Sequence, residues 1–257
     1  MRSSPQVWDL YMVGDDFGRI YGFAAGGRRR GDCQIGGRID HHIQNIVRIL
    51  IDTENNQAMT QSNEQLKTLL TLKHRKQDDA SKDFDRIAKA LMNEWVLRVH
   101  DAAYRIGEVE FYLQNADHDD TYTHGHELQK TEGLWYFHAS GMDLTFGQGG
   151  HGGILIRGVL KLSNDGSDQR SRYTTGPQNV VREVMSNIPS ASLTSLDFGL
   201  EPDREGLLTN QPIFKWQRIG LNKQHDDEMA AKPYRYLILR DMPHKDKARF
   251  FEKCEKF

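Results

Sequence analysis

The sequence predicts a mixed α+β protein, one domain in which an antiparallel β-sheet is flanked by α-helices, on three observations. Over residues 106–113 side chains alternate, so that Glu108, Glu110 and Tyr112 fall on one face of a strand and Val109, Phe111 and Leu113 on the other. Residues 135–138 and 153–159 are similarly rich in aromatic and branched residues, and the glycines of 147–153 mark a turn between strands. Phe84, Ile87, Leu91, Met92 and Trp95 recur instead at helical spacing, the pattern of a helix packed on a core.

Taken from the N-terminus, residues 1–80 read as a poorly defined extension and residues 81–257 as the organised domain. The extension holds Gly26-Gly27-Arg28-Arg29-Arg30-Gly31 and Gly36-Gly37-Arg38, glycine-rich and locally basic. An apolar run over 43–51, a helical stretch over 63–73 and a charged linker over 73–82 follow. The domain opens with the helix of Phe84 to Trp95, which Ser81 or Asp83 would cap. Beyond the strands at 106–113, 135–138 and 153–159, Gly176-Pro177 starts a second helix carrying Val180, Val181, Val184 and Met185, ended by Asn187 and Pro189. Residues 193–200 and 234–239 read as further strands.

Composition narrows the function classes. The 257 residues carry 34 basic and 36 acidic side chains, a formal net charge of −2, so no global electrostatic attraction to nucleic acid exists. Phosphate contacts need only a local basic surface. Its candidates are Lys161, Arg170, Arg172, Lys215, Arg218, Lys223, Lys232, Arg235 and Arg240, interleaved with Tyr173, Trp216 and Tyr236; the plain alternative is a solvated face of mixed charge. Cys33 and Cys254 lie near opposite ends and indicate no disulfide framework. With no apolar run long enough to cross a membrane and no secretory segment at the start, an intracellular monomer without membrane attachment is expected, in a bacterial cytoplasm (nucleoid) or a eukaryotic nucleus.

The chemistry concentrates between residues 104 and 160. Arg157 stands inside an otherwise apolar strand, and a buried charge without a partner is expensive, so a carboxylate such as Glu110 is its natural counterpart. A purely structural ion pair is the plain alternative. A rival chemistry is a metal-dependent hydrolase built on the His/Asp-rich loop, where Asp117-His118-Asp119-Asp120, His124-x-His126, His138 and His151 offer nitrogen and oxygen ligands. No full metal signature is present, so no metal and no cofactor are assigned.

The order of these residues resembles the alkyladenine (3-methyladenine) DNA glycosylases of the mammalian type. The resemblance rests on Glu108-x-Glu110-x-Tyr112-Leu113, His124, Gly133-Leu134-Trp135-Tyr136-Phe137, Gly141-Met142 and Leu155-Ile156-Arg157-Gly158-Val159. It continues through Gly176-Pro177, Arg218-Ile219-Gly220 and Ala231-Lys232-Pro233-Tyr234-Arg235-Tyr236, covering roughly residues 85–245 in co-linear order. It implies a curved antiparallel sheet flanked by helices and a monofunctional DNA glycosylase. Such an enzyme flips a modified or damaged base into an aromatic pocket and hydrolyses its N-glycosidic bond, for base excision or for defence against modified phage DNA.

By that resemblance Glu110 is the base that activates water, and Arg157 holds the water and the carboxylate. Tyr112 and Phe137 sandwich the base. His124 hydrogen-bonds near the base and its sugar phosphate, with His118 and His126 as rivals. His138 and Thr145 line the base pocket, Thr145 or Gly147 standing where the family has a discriminating asparagine. Ser140 stands where the family has an intercalating tyrosine, and it has no ring to fill the vacated stack. Met142 and His138 are the nearest alternative wedges. Ser140, Met142, Arg218, Lys232 and Arg235 are then the expected DNA contacts, and a non-catalytic module that only binds modified bases is the remaining alternative.

Overall fold

The computed structural model describes residues 10–14, 20–24, 56–73, 77–147, 149–163, 168–188, 198–222 and 224–256. The expectations for residues 26–38, 43–51 and 193–197, for Pro189 and for Lys223 lie outside the described residues.

The chain runs β1 (Leu10–Gly14), β2 (Ile20–Ala24), α1 (Asn56–Leu70), α2 (Gln77–Asn93), β3 (Trp95–Val99), β4 (Ala102–Asn115) and β5 (His118–Asp119). A 3-10 turn (Glu127–Lys130) leads to β6 (Trp135–His138), β7 (Gly141–Thr145), β8 (His151–Lys161), β9 (Tyr173–Thr175) and α3 (Pro177–Ser186). Then come β10 (Phe198–Pro202), β11 (Phe214–Trp216), α4 (Asp227–Ala231), β12 (Arg235–Leu237), α5 (Lys247–Lys253) and β13 (Glu255–Lys256). These strands form one open antiparallel sheet ordered β13-β11-β12-β4-β8-β7-β6-β1-β2, with β3 and β5 also on β4, β10 on β3 and β9 on β8. The mixed α+β class is the one the alternation and the helical spacing predict.

β4 and β8 organise the sheet, and their apolar parity inverts partway along. Core residues on β4 are Ala102, Tyr104 and Ile106, then Val109, Phe111 and Leu113; on β8 they are Ile154 and Ile156, then Val159. A regular strand cannot switch in this way, because its side chains alternate strictly. The pairing shows the cause: Ile106 faces Val159, Glu108 faces Gly158 and Val109 faces Ile156, so Gly107 is an extra residue on β4 and Arg157 an extra residue on β8. Gly107 also has to lack a side chain, since a Cβ there would lie 2.6 Å from Cε2 of Tyr173. Beyond the bulges Glu108, Glu110 and Tyr112 share the face opposite the core, as the alternation predicts.

Helix α2 lies on the core face. Phe84, Ile87, Leu91 and Met92 are fully buried, and Phe84 stacks on Phe111 with ring centroids 4.7 Å apart. Each side chain of this size contributes roughly 1.5–3 kcal/mol by its burial. The helix begins at Gln77, earlier than the expected cap at Ser81 or Asp83. Asp83 instead sits inside it, where its carboxylate accepts the Lys73 N–H at 2.8 Å and pairs with Arg86 at 3.1 Å. Helix α1 places Leu66 and Leu70 in the same core, joined by Leu72, so this part of the N-terminal eighty or so residues packs as one body with the rest. Helix α3 starts at Pro177 and ends with Asn187 at its C-cap, burying Val180 and Val184, as read from the sequence.

The turn Glu127–Lys130 is laid across β7 and β8 on the other face. Its buried Gln129 donates to Asp143 Oδ2 at 3.1 Å and accepts the His126 N–H at 3.1 Å, while the His126 ring caps the turn from Leu128 N–H. Gly153 makes room for this: a Cβ there would sit 2.7 Å from both Asp143 Oδ2 and Gln129 Nε2. Because hydrogen bonds already hold both groups, Gly153→Ala is expected to destabilise the fold by about 1–3 kcal/mol. Gly199→Ala on β10, where an added Cβ meets nothing within 4 Å, is expected to be neutral or stabilising. Urea denaturation of both variants checks this, and equal midpoints would contradict the close packing assigned to Gly153.

Candidate functional site

The face opposite the main core carries a buried cluster of charge. Arg157 donates from Nε to Glu108 Oε1 at 3.0 Å and from Nη1 to Glu110 Oε2 at 3.2 Å. Arg235, brought alongside by β12, donates from Nε to the same Glu108 oxygen at 2.9 Å and from Nη2 to the Lys245 carbonyl at 2.8 Å. Glu108 and Glu110 are 1% and 0% exposed, and Arg235 is 0% exposed, so two carboxylates and two guanidiniums neutralise one another away from water. Such an arrangement is tolerable only because every charge has a partner.

The two carboxylates have different environments. Around Glu108 sit Arg157, Arg235 and His244, whose Nδ1 lies 3.4 Å from Oε2 and 3.1 Å from the Tyr173 hydroxyl. Burial alone would raise the Glu108 carboxyl, but the His244 hydrogen bond and the charges of Arg235 and Arg157 outweigh it and hold the group down to about 2. Glu110 accepts the Tyr112 hydroxyl proton on Oε2 at 2.9 Å and the Ile219 N–H on Oε1 at 2.9 Å. Burial, then the negative charge of Glu110, push the Tyr112 phenol well above its ordinary value, so it keeps the proton it donates. With Arg157, these fill three of the roughly four acceptor positions a carboxylate offers, leaving about one for a water or a substrate group.

Tyr112 is the partly exposed member of the cluster. The Arg218 guanidinium lies over its ring at 4.5 Å from the centroid, and over Tyr122 and Tyr234 at 5.5 and 5.6 Å. Asp120 holds that guanidinium in a two-pronged pair, with Nη1 to Oδ2 at 2.5 Å and Nη2 to Oδ1 at 3.1 Å. The carbonyls of Phe111 and Met229 accept from it as well.

A row of cross-strand neighbours runs from this cluster along the sheet. Arg235 faces Glu110, Glu110 faces Leu155, Leu155 faces Asp143 and Asp143 faces Tyr136. At the far end Tyr136 is stacked on His126 at 4.6 Å and on His138 at 4.8 Å, and His124 meets His138 edge-on at 4.4 Å. His138 Nε2 lies 3.2 Å from Asp143 Oδ1.

The expected site residues divide on this geometry. Glu110, Arg157 and Tyr112 come together. His124 and His138 share the same face, at the far end of the row; His118 is fixed in the core, with Nδ1 2.7 Å from the Leu113 carbonyl and Nε2 2.9 Å from the Tyr234 hydroxyl. Phe137 is corrected from a base clamp to a core residue, because β6 pairs it with Met142 and turns it toward Phe198, leaving Tyr136 on the face of Glu110. Met142 is 0% exposed in the same core and is not a wedge. Thr145 is a loop anchor, accepting the Leu134 N–H and donating to the Thr131 carbonyl.

Arg218 and Arg235 are corrected from phosphate contacts to buried ion-pair members, both with side chains 0% exposed. Ser140, in the turn between β6 and β7, and Lys232, paired with Glu228 at 3.4 Å, remain on the surface. The sequence reading missed Asp143 and His244; it named Asp120 only as a candidate metal ligand and Tyr136 only within a motif, not as the partner of Arg218 and the neighbour of Asp143. Asp143 had a signal, an acid inside an apolar strand, which is the same signal that marked Arg157.

No protein-family model matches the chain, and no solved structure matches it. An uncharacterized protein of Acanthamoeba polyphaga mimivirus is 26% identical over 200 residues, 64% of this chain and 89% of that protein. Among the described residues no helix is long and apolar enough to cross a membrane.

The depressed Glu108 carboxyl fixes an acid dependence. Its ordinary value is 4.5 and its folded value about 2, so the unfolded chain binds the extra proton between them. The stabilisation is therefore complete above about pH 4.5 and is lost as pH falls toward 2, by an amount on the order of 3 kcal/mol. Glu108→Gln is expected to lower stability at neutral pH by roughly 3–5 kcal/mol, because two guanidiniums lose a charge partner, and to flatten the acid limb. Urea midpoints at pH 3 and pH 6 for both proteins measure it; an unchanged acid limb in the variant would remove Glu108 from this role.

Proposed function

We propose that the protein is a monofunctional DNA glycosylase with an alkyladenine-glycosylase-like fold, which takes a modified base out of the stack and hydrolyses its N-glycosidic bond. The observation that carries this reading is convergence. The short motifs on which the resemblance rests are scattered over more than half the sequence, yet three of them meet at the Glu110 carboxylate and a fourth joins its neighbour Glu108. Glu110 and Tyr112 come from β4 and Arg157 from β8, Ile219 supplies a backbone N–H, and Arg235 completes the neighbouring pair through Glu108.

In this reading Glu110, oriented by Arg157, Tyr112 and Ile219, takes a proton from water as it attacks the sugar C1′. Its negative charge faces the positive character that develops on the sugar as the base departs. Tyr112 offers one ring face to the base, its other face being covered by Arg218. Among the described residues the groups that bond Glu110 are a phenol, a guanidinium and a backbone N–H, a set that orients a carboxylate for water activation and supports hydrolysis without a covalent imine. The substrate class is DNA carrying a modified or damaged base, in repair or in defence against modified phage DNA.

The test is release of free base and formation of abasic sites from a panel of modified-base duplexes and hypermodified phage DNAs. Glu110→Gln is expected to keep DNA binding and lose base release, and undiminished release in this variant would sink the assignment. Tyr112→Ala is expected to weaken capture of the flipped base by about 1–3 kcal/mol, while Phe137→Ala costs folding stability instead. Measuring affinity for a base-containing ligand and for an abasic analogue separates the two effects.

Strand context gives a second expectation. Ser140 has no ring and Met142 points into the core, so neither fills the gap left by an extruded base. Excision is expected to be faster from single-stranded or mismatched DNA than from a matched duplex. Fastest excision from the matched duplex would reveal a wedge elsewhere.

A further inference from the structure

We propose that His124, His138 and Asp143 bind one divalent transition-metal ion of the zinc class, at the end of the same sheet face and separate from the Glu110 cluster. Ligand atoms of these three side chains lie within 4.8 Å of one another. The distance from His138 Nε2 to Asp143 Oδ1, 3.2 Å, is an edge that subtends roughly 100° at an ion bound at ordinary zinc–nitrogen and zinc–oxygen lengths, close to a tetrahedral angle. A histidine–aspartate hydrogen bond would account for that one distance. A second imidazole, His124, approaches His138 edge-on at 4.4 Å and 87° and brings a third ligand atom to the same corner.

The ligands are also supported from behind. Gln129 Nε2 holds the other Asp143 oxygen at 3.1 Å, and Tyr136 stacks on the His138 ring at 4.8 Å while His126 stacks on Tyr136. The His138 and Asp143 side chains are each 4% exposed, whereas His124 is exposed, so the site opens to solvent on one side. Two imidazoles and one carboxylate suit a borderline ion such as zinc and leave a fourth position for water or an anionic oxygen. Binding at Nε2 of His138 places that ring's proton on Nδ1. The long 3.3 Å hydrogen bond that Nδ1 accepts from the Ser140 N–H is then given up, at an exposed turn where water can replace it. The sequence shows no full metal signature, and Asp143, inside an apolar strand, is not among its candidate ligands.

The experiment uses tag-free full-length protein, stripped with a chelator and titrated with zinc chloride by isothermal titration calorimetry in the absence of DNA, which makes the result independent of the glycosylase reading. The expected result is one equivalent of zinc bound, with affinity at least tenfold weaker in His124→Ala and in Asp143→Asn and unchanged in His225→Ala. Circular dichroism establishes that each variant is folded. Because His124 is exposed, its variant decides the matter even where Asp143→Asn fails to fold. No stoichiometric uptake by the wild type, or wild-type affinity in His124→Ala, overturns the proposal.

Discussion

The mutual neutralisation of Glu108, Glu110, Arg157 and Arg235 is the constraint around which the rest of the structure is arranged. Four charges removed from water are unfavourable unless each finds an opposite partner at hydrogen-bonding distance, and removing any one leaves the others worse off than if none had been buried. The backbone adapts to that requirement. The extra residues Gly107 and Arg157 invert the parity of β4 and β8 together, which keeps the apolar residues of both strands in the core while turning Glu108 and Arg157 to the opposite face. Tyr173 then packs against Gly107, and its hydroxyl reaches His244, the remaining neighbour of Glu108. Strand β12 is tied into the same network, because Arg235 alternates with the core residues Tyr234 and Tyr236 and so faces Glu108.

Much of this was legible in the sequence where one residue contradicted its surroundings. Arg157 in an apolar strand demanded a carboxylate, and the alternation of Glu108, Glu110 and Tyr112 supplied the face on which to find it. Parity failed where every position of a strand is aromatic: Trp135, Tyr136, Phe137 and His138 give no period of two, and only pairing with β7 decides that Tyr136 and not Phe137 lies beside Asp143. The helix at 77–93 starts before its cap signal, and Asp83 within it accepts the Lys73 N–H instead, a contact between elements that local spacing does not encode. Arg218 and Arg235 read as surface bases because their partners, Asp120 and Glu108, lie far away in the chain.

Those two burials change what the near-neutral composition means. Arg157, Arg218 and Arg235 are committed to internal carboxylates, and Lys215 is held by Asp85 at 2.9 Å, so none of the four is a ready phosphate contact. The protein's surface is accordingly less basic than a count of lysines and arginines suggests. Under the proposed glycosylase reading, recognition of DNA would have to draw on stacking and shape more than on counterion release, which implies a shallow dependence of affinity on salt. Tyr112 fits that mode: Arg218 stiffens it from one side by a cation–π contact at 4.5 Å and leaves the ring partly exposed.

The geometry of the sheet also limits how its two polar clusters can cooperate. Glu110 and Asp143 are separated by a single intervening strand, so their backbones stand roughly 10 Å apart at the usual strand spacing. Leu155 fills the row between them and is 7% exposed. An ion held through Asp143 would therefore lie across Leu155 from Glu110, at the other end of the row. Under the proposed glycosylase reading the two clusters would engage different parts of one ligand, the carboxylate at the bond to be hydrolysed and the histidine end at a group further along the sheet. Gly153 marks the boundary, since any side chain there would displace Asp143 and Gln129 together.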